Sequence, residues 1–324
     1  MRIATFSKGI SKVPFLLELL HGSDLVVSPS SRQATGLDLV VGWGRKPNTK
    51  KAIQFAQRHS IPYASLEDGF LRSVGLGRAG VPSLSMVVDK TGIYYDASQP
   101  SYLEELLSKG GNDKFTSTLL VEARQAIEFI LKHQISKYNG AAAMPTGVIS
   151  ARRENVLIVD QVKGDASLTH GATYFSLESM ITAARDENPN ATIHVKLHPE
   201  TIHGFRKGLF SDYKKDPSLQ FITEDYNPLS VLEPMDKVYV ASSQLGFEAL
   251  MAGKEVMCFG LPFYAGWELT DDRCTCSRRN KKRSVEEVFA AAYILYSRYV
   301  NPNSGMRCGV LEALEYLEFQ ARTR

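Results

Sequence analysis

Short apolar segments with strand character alternate with helical segments along most of this 324-residue chain. Strands that are separated by helices usually become parallel neighbours in one sheet, because the helix carries the chain back across the face of the sheet. In the first hundred residues the pattern predicts strands at 2–6, 24–28, 37–42 and 63–66, and helices at 13–20 and 50–59. This alternation favours an α/β class with a parallel sheet.

The alternation is interrupted once and then starts again. Residues 139–150 are rich in Gly, Ala and Pro and carry little periodicity, which is typical of a linker. Before them the sequence predicts a hairpin at 86–89 and 92–95 and a long helix at 115–138. After them it predicts strands at 155–160, 192–197, 219–222, 237–241 and 255–259, and helices at 176–187, 245–252, 284–300 and 311–321. We therefore expect two Rossmann-like domains facing a cleft, over 1–140 and 151–300, with a closing helix within 301–324.

Composition excludes several classes of protein. The net charge is only +3, which disfavours a nucleic-acid-binding protein. The longest apolar runs, such as 256–263, are far shorter than the ~20 residues of a membrane-spanning helix. Four cysteines are too few for a disulfide framework, and the amino terminus lacks the features of a signal peptide. A cytoplasmic location is therefore expected.

Polar residues follow three of the strands that are predicted in the second half. In open α/β sheets the ligand lies beyond the carboxyl ends of the strands, so these residues are expected to line one cleft. The three groups are Asp160-Gln161 with residues 163–167, Lys196 with His198-Pro199-Glu200, and Ser242-Ser243.

The segment around Ser243 predicts an anion site. A strand ends before the two serines and a helix begins near residue 245, so free N–H groups and two hydroxyls would form a phosphate cradle. Glu248 lies in the first turns of this helix, where a carboxylate can bind the ribose of a nucleotide. A plain serine helix cap is the alternative. The run from Gly246 to residue 256 resembles the nucleotide-sugar segment of two-domain (GT-B) glycosyltransferases, which favours nucleotide binding.

Two further motifs are also typical of enzymes that use a nucleotide sugar. His198-Pro199, taken with the serine pair, resembles the motifs with which bacterial sialyltransferase-like enzymes contact the phosphate of a CMP-sugar. Glu67 and Asp68 are adjacent carboxylates that would repel each other, so one of them can keep a proton and act as an acid. An Asp-Gly turn is the alternative. In the sialyltransferase-like group, a motif of two acids and Gly is the third signature, and its first carboxylate is the acid/base residue.

Longer segments resemble one family in particular. They are EDGFLRSVGLG at 67–77, Asp160-Gln161 with GDAS at 164–167, and PFYAGWELTDDR at 262–273. They are similar to the capsule polysaccharide biosynthesis family, whose best-known members are the KpsC-type retaining β-Kdo glycosyltransferases. The resemblance implies transfer of Kdo from CMP-β-Kdo to a Kdo-bearing, phospholipid-linked acceptor at the inner face of the cytoplasmic membrane. It implies no cofactor and no metal. Many members carry two such modules in tandem, whereas this chain has the length of one.

The resemblance also implies roles for individual residues. Retention by double displacement needs a nucleophile and a separate acid/base residue, which would be Asp160 and Glu67, while His198 would stabilise the leaving phosphate. An Asx turn is the alternative for Asp160, and Asp165 is the second candidate nucleophile. The other candidates for donor binding are Lys196, Pro199, Glu200, Ser242, Ser243, Gly246 and Glu248.

The sugar of such a donor carries a carboxylate, so the site needs a cation. Arg72 and Lys163 are the candidates, and Arg is favoured because it can pair with a carboxylate through two hydrogen bonds. Either one could instead be a surface charge or a partner of Asp68. The other residues expected in the sugar pocket are Gln161, Asp165, His170, Tyr264 and Trp267, although Trp267 fits a core position equally well.

The only strong block of charge lies at 278–283 and contains Arg278, Arg279, Lys281, Lys282 and Arg283. One interpretation is contact with an anionic membrane surface or a phospholipid-linked acceptor, to which each basic residue contributes ~1 kcal/mol. The other is a solvated loop ahead of a helix cap at Ser284.

Two other functions stay open. An inverting transferase for CMP-sialic acid would share the fold, use Glu67 as its base and need no nucleophile. A catalytically inactive glycan-binding module would keep the cleft without ever releasing CMP. The presence of Glu67, Asp160 and His198 together with the serine pair favours the retaining β-Kdo transferase.

Overall fold

The computed structural model describes residues 1–75, 81–109, 114–150, 152–213 and 216–323. Residues 76 and 77 of the 67–77 motif, and residues 151 and 324 of the predicted domains, lie outside these ranges. The strands are β1 Arg2–Thr5, β2 Asp24–Val27, β3 Leu39–Trp43, β4 Tyr63–Asp68, β5 Ser85–Asp89, β6 Asn155–Val159, β7 Thr192–Lys196, β8 Gln220–Ile222, β9 Lys237–Val240, β10 Glu255–Cys258, β11 Asp271–Asp272, β12 Ser297–Val300 and β13 Arg307–Cys308. The α-helices are α1 Leu16–Leu20, α2 Thr49–Arg58, α3 Tyr102–Lys109, α4 Ser117–His133, α5 Ala166–Gly171, α6 Leu177–Glu187, α7 Pro199–Ile202, α8 Pro228–Leu232, α9 Leu245–Met251, α10 Val285–Phe289 and α11 Val310–Arg322.

The first sheet has seven strands in the order β13-β12-β5-β4-β3-β1-β2. Strands β1 to β4 are parallel, as the alternating pattern predicts, whereas β5 and β12 run antiparallel to their neighbours. In this register Trp43 of β3 lies opposite Leu66 of β4. The two carboxylates that follow Leu66 are therefore brought to the edge of the sheet beside the turn after β3.

The predicted hairpin at 86–89 and 92–95 is half wrong. Its first strand is β5, but residues 92–95 form no strand, and β5 pairs instead with β4 and β12. The carboxylate of Asp89 explains the difference, because it accepts the N–H groups of Thr91 and Gly92 at 2.8 and 2.7 Å. It also accepts a hydrogen bond from the Tyr296 hydroxyl at 2.7 Å. The chain is thus turned away from β5, and β12 takes the vacant edge.

The predicted helix at 284–300 is correct as far as Tyr296 and wrong for the last four residues. Helix α10 ends at Phe289, a π-helical segment spans Ala290–Tyr296, and β12 follows. The Ser297 hydroxyl donates to the Ala292 carbonyl at 2.8 Å, and β12 then pairs with β5 of the first sheet. Pairing with a distant strand therefore overrides the local helical pattern. Residues 297–308 consequently join the first sheet, although the sequence assigned everything up to 300 to the second domain.

The second sheet has six parallel strands in the order β11-β10-β9-β6-β7-β8. All five residues of β6 are buried, as expected for a parallel strand that is covered on both faces. Val159 of β6 pairs with Lys196 of β7, and Ile158 pairs with Tyr239 of β9. The carboxyl ends of these three strands therefore lie side by side.

One hydrophobic cluster runs through both halves of the chain. The ring of Phe70 lies 5.1 Å from that of Tyr293 and 4.7 Å from that of Phe263. Gln244 Nε2 also donates to the Phe70 carbonyl at 2.9 Å. The two halves thus pack against each other through these side chains, and the prediction of an α/β protein with two Rossmann-like domains facing a cleft is confirmed. Within the described ranges no helix is long and apolar enough to cross a membrane.

Candidate active site

A cleft of about 1120 Å³ opens between the two sheets. The carboxyl ends of β3 and β4 line it from the first half, and those of β6, β7 and β9 line it from the second. The fold therefore brings most of the predicted residues together. Those that line the cleft are Glu67, Arg72, Asp160, Gln161, Asp165, His170, Lys196, His198, Pro199, Glu200, Ser242, Ser243 and Glu248.

Glu67 lies on the first-half wall, at the end of β4. Its Oε1 accepts a hydrogen bond from Trp43 Nε1 at 2.8 Å and a longer one from the backbone N–H of Asp68 at 3.3 Å. Burial, and then the negative charge of Asp68, raise the pKa of Glu67 to about 7. A carboxyl group with this pKa can both give and take a proton near neutral pH, as an acid/base residue must.

Asp160 lies on the floor of the second half and is only 1% exposed. Its Oδ2 accepts the backbone N–H of His198 and its Oδ1 that of Phe210, both at 3.3 Å. Gly208 lets this loop approach, because a Cβ there would overlap the carboxylate. Burial raises the pKa of Asp160, and the backbone hydrogen bonds oppose that shift. These contacts fix the orientation of a carboxylate at the cleft.

A side-chain network joins the ends of β6 and β9. Gln161 Nε2 donates to Ser242 Oγ at 3.1 Å, and the Ser242 backbone N–H donates to Gln161 Oε1 at 2.8 Å. Both side chains also contact Ser167 Oγ, at 3.3 and 3.1 Å. Asp165 caps α5 by accepting the Ser167 N–H at 2.8 Å. Asp165 thus serves as a helix cap, and both candidate nucleophiles line the cleft.

His198 caps the short helix α7, where its Nδ1 accepts the backbone N–H of Glu200 at 3.1 Å. An imidazole that accepts at Nδ1 carries its proton on Nε2. Burial lowers the pKa of His198 to about 4, so the ring is neutral at pH 7. A neutral ring with an Nε2 proton can donate a hydrogen bond to a phosphate oxygen.

Glu248 reaches from α9 towards the first half. Its side chain is buried, and Oε1 accepts from Ser136 Oγ at 2.8 Å and from Gln244 Nε2 at 3.4 Å. Burial raises the pKa of Glu248 to about 7. Glu248 therefore joins the two halves, and its binding of a ribose stays a prediction.

Gly246 and Tyr264 pack against each other in the core. Tyr264 is fully buried, and its hydroxyl lies where a Cβ of residue 246 would stand. The same hydroxyl donates to the Ser243 carbonyl at 2.5 Å, while Ser243 Oγ accepts the N–H of Leu245 at 3.3 Å. The prediction that Gly246 and Tyr264 contact the donor is therefore wrong, because close packing beneath α9 occupies both.

Three other residues predicted for the sugar pocket make contacts with the rest of the protein that the sequence did not indicate. Lys163 Nζ pairs with Asp212 Oδ2 at 3.0 Å, and its side chain is 46% exposed, outside the cleft lining. Trp267 is fully buried and donates from Nε1 to the Phe263 carbonyl at 2.9 Å, so its core alternative is the correct one. Arg72 does line the cleft, but its Nε pairs with Asp68 Oδ2 at 2.8 Å.

Four cations that were not predicted from the sequence also line the cleft: Arg45, Lys46, Lys137 and Arg206. Arg45 follows β3, and its Nε pairs with Asp96 Oδ2 at 2.7 Å. Lys137 lies in the irregular segment after α4, and its carbonyl accepts the backbone N–H of Arg72 at 3.2 Å. Neither Arg45 nor Lys137 belongs to a recognisable motif. Their place in the cleft follows only from contacts with distant parts of the chain.

The arginines of the basic block at 278–283 make contacts inside the protein, and two of them, Arg279 and Arg283, are buried. Arg278 and Arg279 both pair with Glu104 of α3, through Nε at 2.6 and 3.0 Å. Arg283 Nε donates to the Leu107 carbonyl at 2.9 Å. The prediction of a membrane contact is therefore wrong for Arg279 and Arg283, which are buried where α3 meets the other half, and it stays a prediction for Arg278, which is 34% exposed. Lys281 and Lys282 of the block are exposed.

We expect Glu104→Ala to lower the free energy of unfolding by about 3–5 kcal/mol, because it leaves a buried guanidinium without a counter-charge. Glu104 and Arg279 have side chains that are only 5% and 3% exposed. Glu105→Ala is the matched control, since its pair with Lys109 is a surface pair, which contributes about 0–1 kcal/mol. Denaturant unfolding of the two variants measures the difference. Equal losses of stability would contradict a structural role for the Glu104 cluster.

The family is identified by comparison with known proteins. A family model described as "Capsule polysaccharide biosynthesis protein" matches residues 38–301, which is most of the chain. The chain belongs to the capsule polysaccharide biosynthesis family. The resemblance carried by the three sequence segments is therefore confirmed.

Curated relatives match nearly the whole chain but are longer. The capsule polysaccharide modification protein LipA of Neisseria meningitidis serogroup A / serotype 4A is 42% identical over 321 residues, covering 96% of this chain and 45% of LipA. The lipopolysaccharide-processing protein LpsZ of Rhizobium meliloti is 40% identical over 282 residues, covering 86% of this chain and 64% of LpsZ. This capsule polysaccharide biosynthesis chain thus spans about half the length of LipA.

Two solved structures from Thermosulfurimonas dismutans KpsC resemble the whole chain. The β-Kdo 2,4 transferase is 45% identical with a TM-score of 0.91, and 98% of each chain is covered. The β-Kdo 2,7 transferase is 31% identical with a TM-score of 0.72, and 98% of this chain and 99% of that one are covered. The two-domain fold is therefore shared with other members of the capsule polysaccharide biosynthesis family.

Proposed function

We propose that this chain is a retaining β-Kdo glycosyltransferase that acts in capsule polysaccharide synthesis. The observation that carries the proposal is the 45% identity and TM-score of 0.91 with the T. dismutans β-Kdo 2,4 transferase over 98% of both chains. The cleft supports it, because candidate acid/base and nucleophilic carboxylates line its opposite walls. The proposed donor is CMP-β-Kdo, and the proposed acceptor is a Kdo-bearing glycolipid.

The second-half wall is suited to the phosphate of CMP. His198 offers an N–H donor that carries no charge, and Lys196 at the end of β7 adds a positive charge that lines the cleft. Burial lowers the pKa of Lys196, while nearby carboxylates, first among them Asp225, oppose the shift. Ser242 and Ser243 complete the group. With these donors and this cation the proposed reaction needs no metal to neutralise the leaving phosphate.

The proposed reaction proceeds in two steps. In the first, a carboxylate oxygen of Asp160 attacks the anomeric carbon of Kdo, the bond from that carbon to the phosphate oxygen breaks, and CMP leaves. In the second, Glu67 takes the proton of an acceptor hydroxyl, whose oxygen attacks the same carbon and displaces Asp160. Two inversions retain the configuration. Glu67 and Asp160 can take these roles from opposite walls because the sugar lies between them.

We also propose that the enzyme works in the cytoplasm, at the membrane face where a lipid-linked acceptor is exposed. Lys281 and Lys282 are the exposed cations of the basic block and remain candidates for contact with anionic lipid. Sedimentation with anionic vesicles tests this, and equal sedimentation of wild type and a Lys281→Gln, Lys282→Gln double variant would contradict the contact.

The test of the proposed function is the intact mass of the wild-type protein after mixing with CMP-Kdo without acceptor, with CMP release followed in parallel. We expect CMP release and the mass of one added Kdo. Release from CMP-sialic acid but not from CMP-Kdo would favour the inverting transferase. Binding of either donor without release, even with a Kdo-bearing acceptor present, would favour the inactive glycan-binding module.

A further inference from the structure

Lys137 lines the cleft but has no part in the reaction as described so far. Its ammonium group makes no hydrogen bond or ion pair with any residue that the structure describes. The two arginines of the same wall are both paired, Arg45 with Asp96 at 2.7 Å and Arg72 with Asp68 at 2.8 Å. The N–H groups of the Lys137 side chain are therefore available to a ligand, while Asp68 and Glu67 act on its charge through space.

Backbone contacts hold Lys137 at the junction of the two walls. Its carbonyl accepts the N–H groups of Arg72 and Ser73, at 3.2 and 3.3 Å. The hydroxyl of the preceding residue, Ser136, donates to Glu248 of the second half at 2.8 Å. Both halves thus fix the chain on either side of this lysine, so its position is well defined before any substrate binds.

The charge of Lys137 acts on candidate residues of both walls. Burial lowers the pKa of Lys137, whereas the neighbouring groups, among them Asp68 and Glu67 of the first half, raise it, and the charge of Lys137 in turn lowers the pKa of His198 in the second half. A sugar that moves from a phosphate near His198 to an acceptor activated by Glu67 must lie between these two residues. Lys137 is therefore close to the place where the transferred sugar lies.

We propose that Lys137 binds the carboxylate of the transferred sugar acid. The inference rests on the proposed function and extends it by naming the cation that recognises the donor sugar. A keto-sugar acid carries its carboxylate on the anomeric carbon, so this group lies beside the reacting atom. An ammonium group there orients that carbon towards Asp160 and favours acidic over neutral sugars. Arg72 and Lys163, the cations expected from the sequence, are held by Asp68 and Asp212 instead.

A purely structural role for Lys137, as a counter-charge for Glu67, predicts a different result. The first step of the reaction uses Asp160 and does not use Glu67. Release of CMP without acceptor therefore reports on recognition of the donor sugar separately from the state of Glu67. A counter-charge would change only the reaction with acceptor and its pH profile.

The experiment compares Lys137→Met with the exposed control Lys132→Met. We expect Lys137→Met to lower kcat/KM for acceptor-free CMP release from CMP-Kdo by about ten- to hundredfold, the range of a charged hydrogen bond. Inhibition by CMP alone, which lacks the sugar, should change less than about twofold, because the phosphate contacts remain. Lys137→Arg should recover part of the loss, and Lys132→Met should behave as wild type. Unchanged kcat/KM in Lys137→Met, with an altered pH profile only, would overturn the proposal.

Calorimetry with free Kdo and its methyl ester separates this proposal from the proposed function. We expect wild type to prefer the acid, and Lys137→Met to bind the acid and the ester equally. A wild type that releases no CMP from CMP-Kdo would defeat the proposed function, while the preference for the acid would still support the carboxylate site. Equal binding of acid and ester by wild type would overturn the carboxylate site. Thermal unfolding checks that each variant is folded, and Lys137→Gln replaces Lys137→Met if Lys137→Met does not fold.

Discussion

Replacing Asp160 with Asn is expected to abolish the Kdo–protein adduct and to lower turnover by about 10⁴-fold or more, as loss of a nucleophile does in other enzymes. The amide group of Asn is a poor nucleophile, so the covalent Kdo intermediate of the first step cannot form. Intact-protein mass and steady-state CMP release measure the two effects. Peptide mapping of the wild-type adduct to Asp160 would connect them.

The control for this variant must account for the backbone hydrogen bonds at Asp160. Both of its carboxylate oxygens accept N–H groups, and an Asn side chain can replace only one of them. Asp165→Asn is the matched variant, since Asp165 also lines the cleft but caps α5, and Asn caps helices as well as Asp does. We expect it to keep most of its activity. A folded Asp160→Asn variant that retains near-normal transfer would instead indicate an inverting enzyme.

Glu67→Gln is expected to lower transfer to the acceptor by about 10²–10⁴-fold, the usual contribution of general acid–base catalysis. The first step does not need Glu67, because CMP is a good leaving group, so the Kdo adduct should still form and should accumulate. Quench-flow measurement of the adduct and the product tests both parts. An adduct that fails to form in Glu67→Gln would contradict the assignment of Glu67 to the second step.

The pH profile follows from the pKa of Glu67, which is raised from 4.5 to about 7. A base must be ionised, so transfer should rise with pH through a midpoint near 7. The hydrogen bond from Trp43 lowers this pKa, so Trp43→Phe should move the midpoint to higher pH. Asp68→Asn removes a charge that raises the pKa and should move the midpoint to lower pH. Shifts in the same direction would rule out Glu67 as the titrating base.

Loss of activity in Glu67→Gln is not expected to come from unfolding. A folded-state pKa above the unfolded value means that the native protein holds more protons than the unfolded chain between pH 4.5 and about 7. Stability due to this group is therefore present at low pH and is lost as pH rises through that window. Gln carries no charge to bury, so the variant should be no less stable than wild type above pH 7. Thermal unfolding at two pH values checks this.

Most of the candidate site could be predicted from sequence because of its relation to the strands. Asp160, His198 and Ser242 each follow a parallel strand, and parallel strands in register bring their carboxyl ends to one edge. The same reasoning could not find Lys137 or Arg45, which lie on irregular segments. It also placed Tyr264 and Trp267 in the pocket, since aromatic residues are typical of both sugar sites and cores.

The basic block shows that a run of charged residues in the sequence does not by itself predict solvent exposure. A run of six residues with five cations looks solvated, yet Arg279 is buried against Glu104, which lies 175 residues away in sequence. Nothing near Arg279 in the sequence indicates that partner. The last four residues of the helix predicted at 284–300 form a strand for the same reason, because β12 exists only through its pairing with β5.

The strand–helix alternation, the two sheets and the carboxyl-edge location of the main candidate residues follow from the amino-acid sequence alone. These features depend on local apolar patterning and on the polar residues that directly follow each strand. The pairing of individual cations, the core position of Tyr264 and Trp267, and the return of 297–308 to the first sheet become evident only in the folded chain. Those outcomes depend on which distant residues come into contact. The free-energy cost of burying a charged or polar group then depends on whether a hydrogen-bond or charge partner is present at that place.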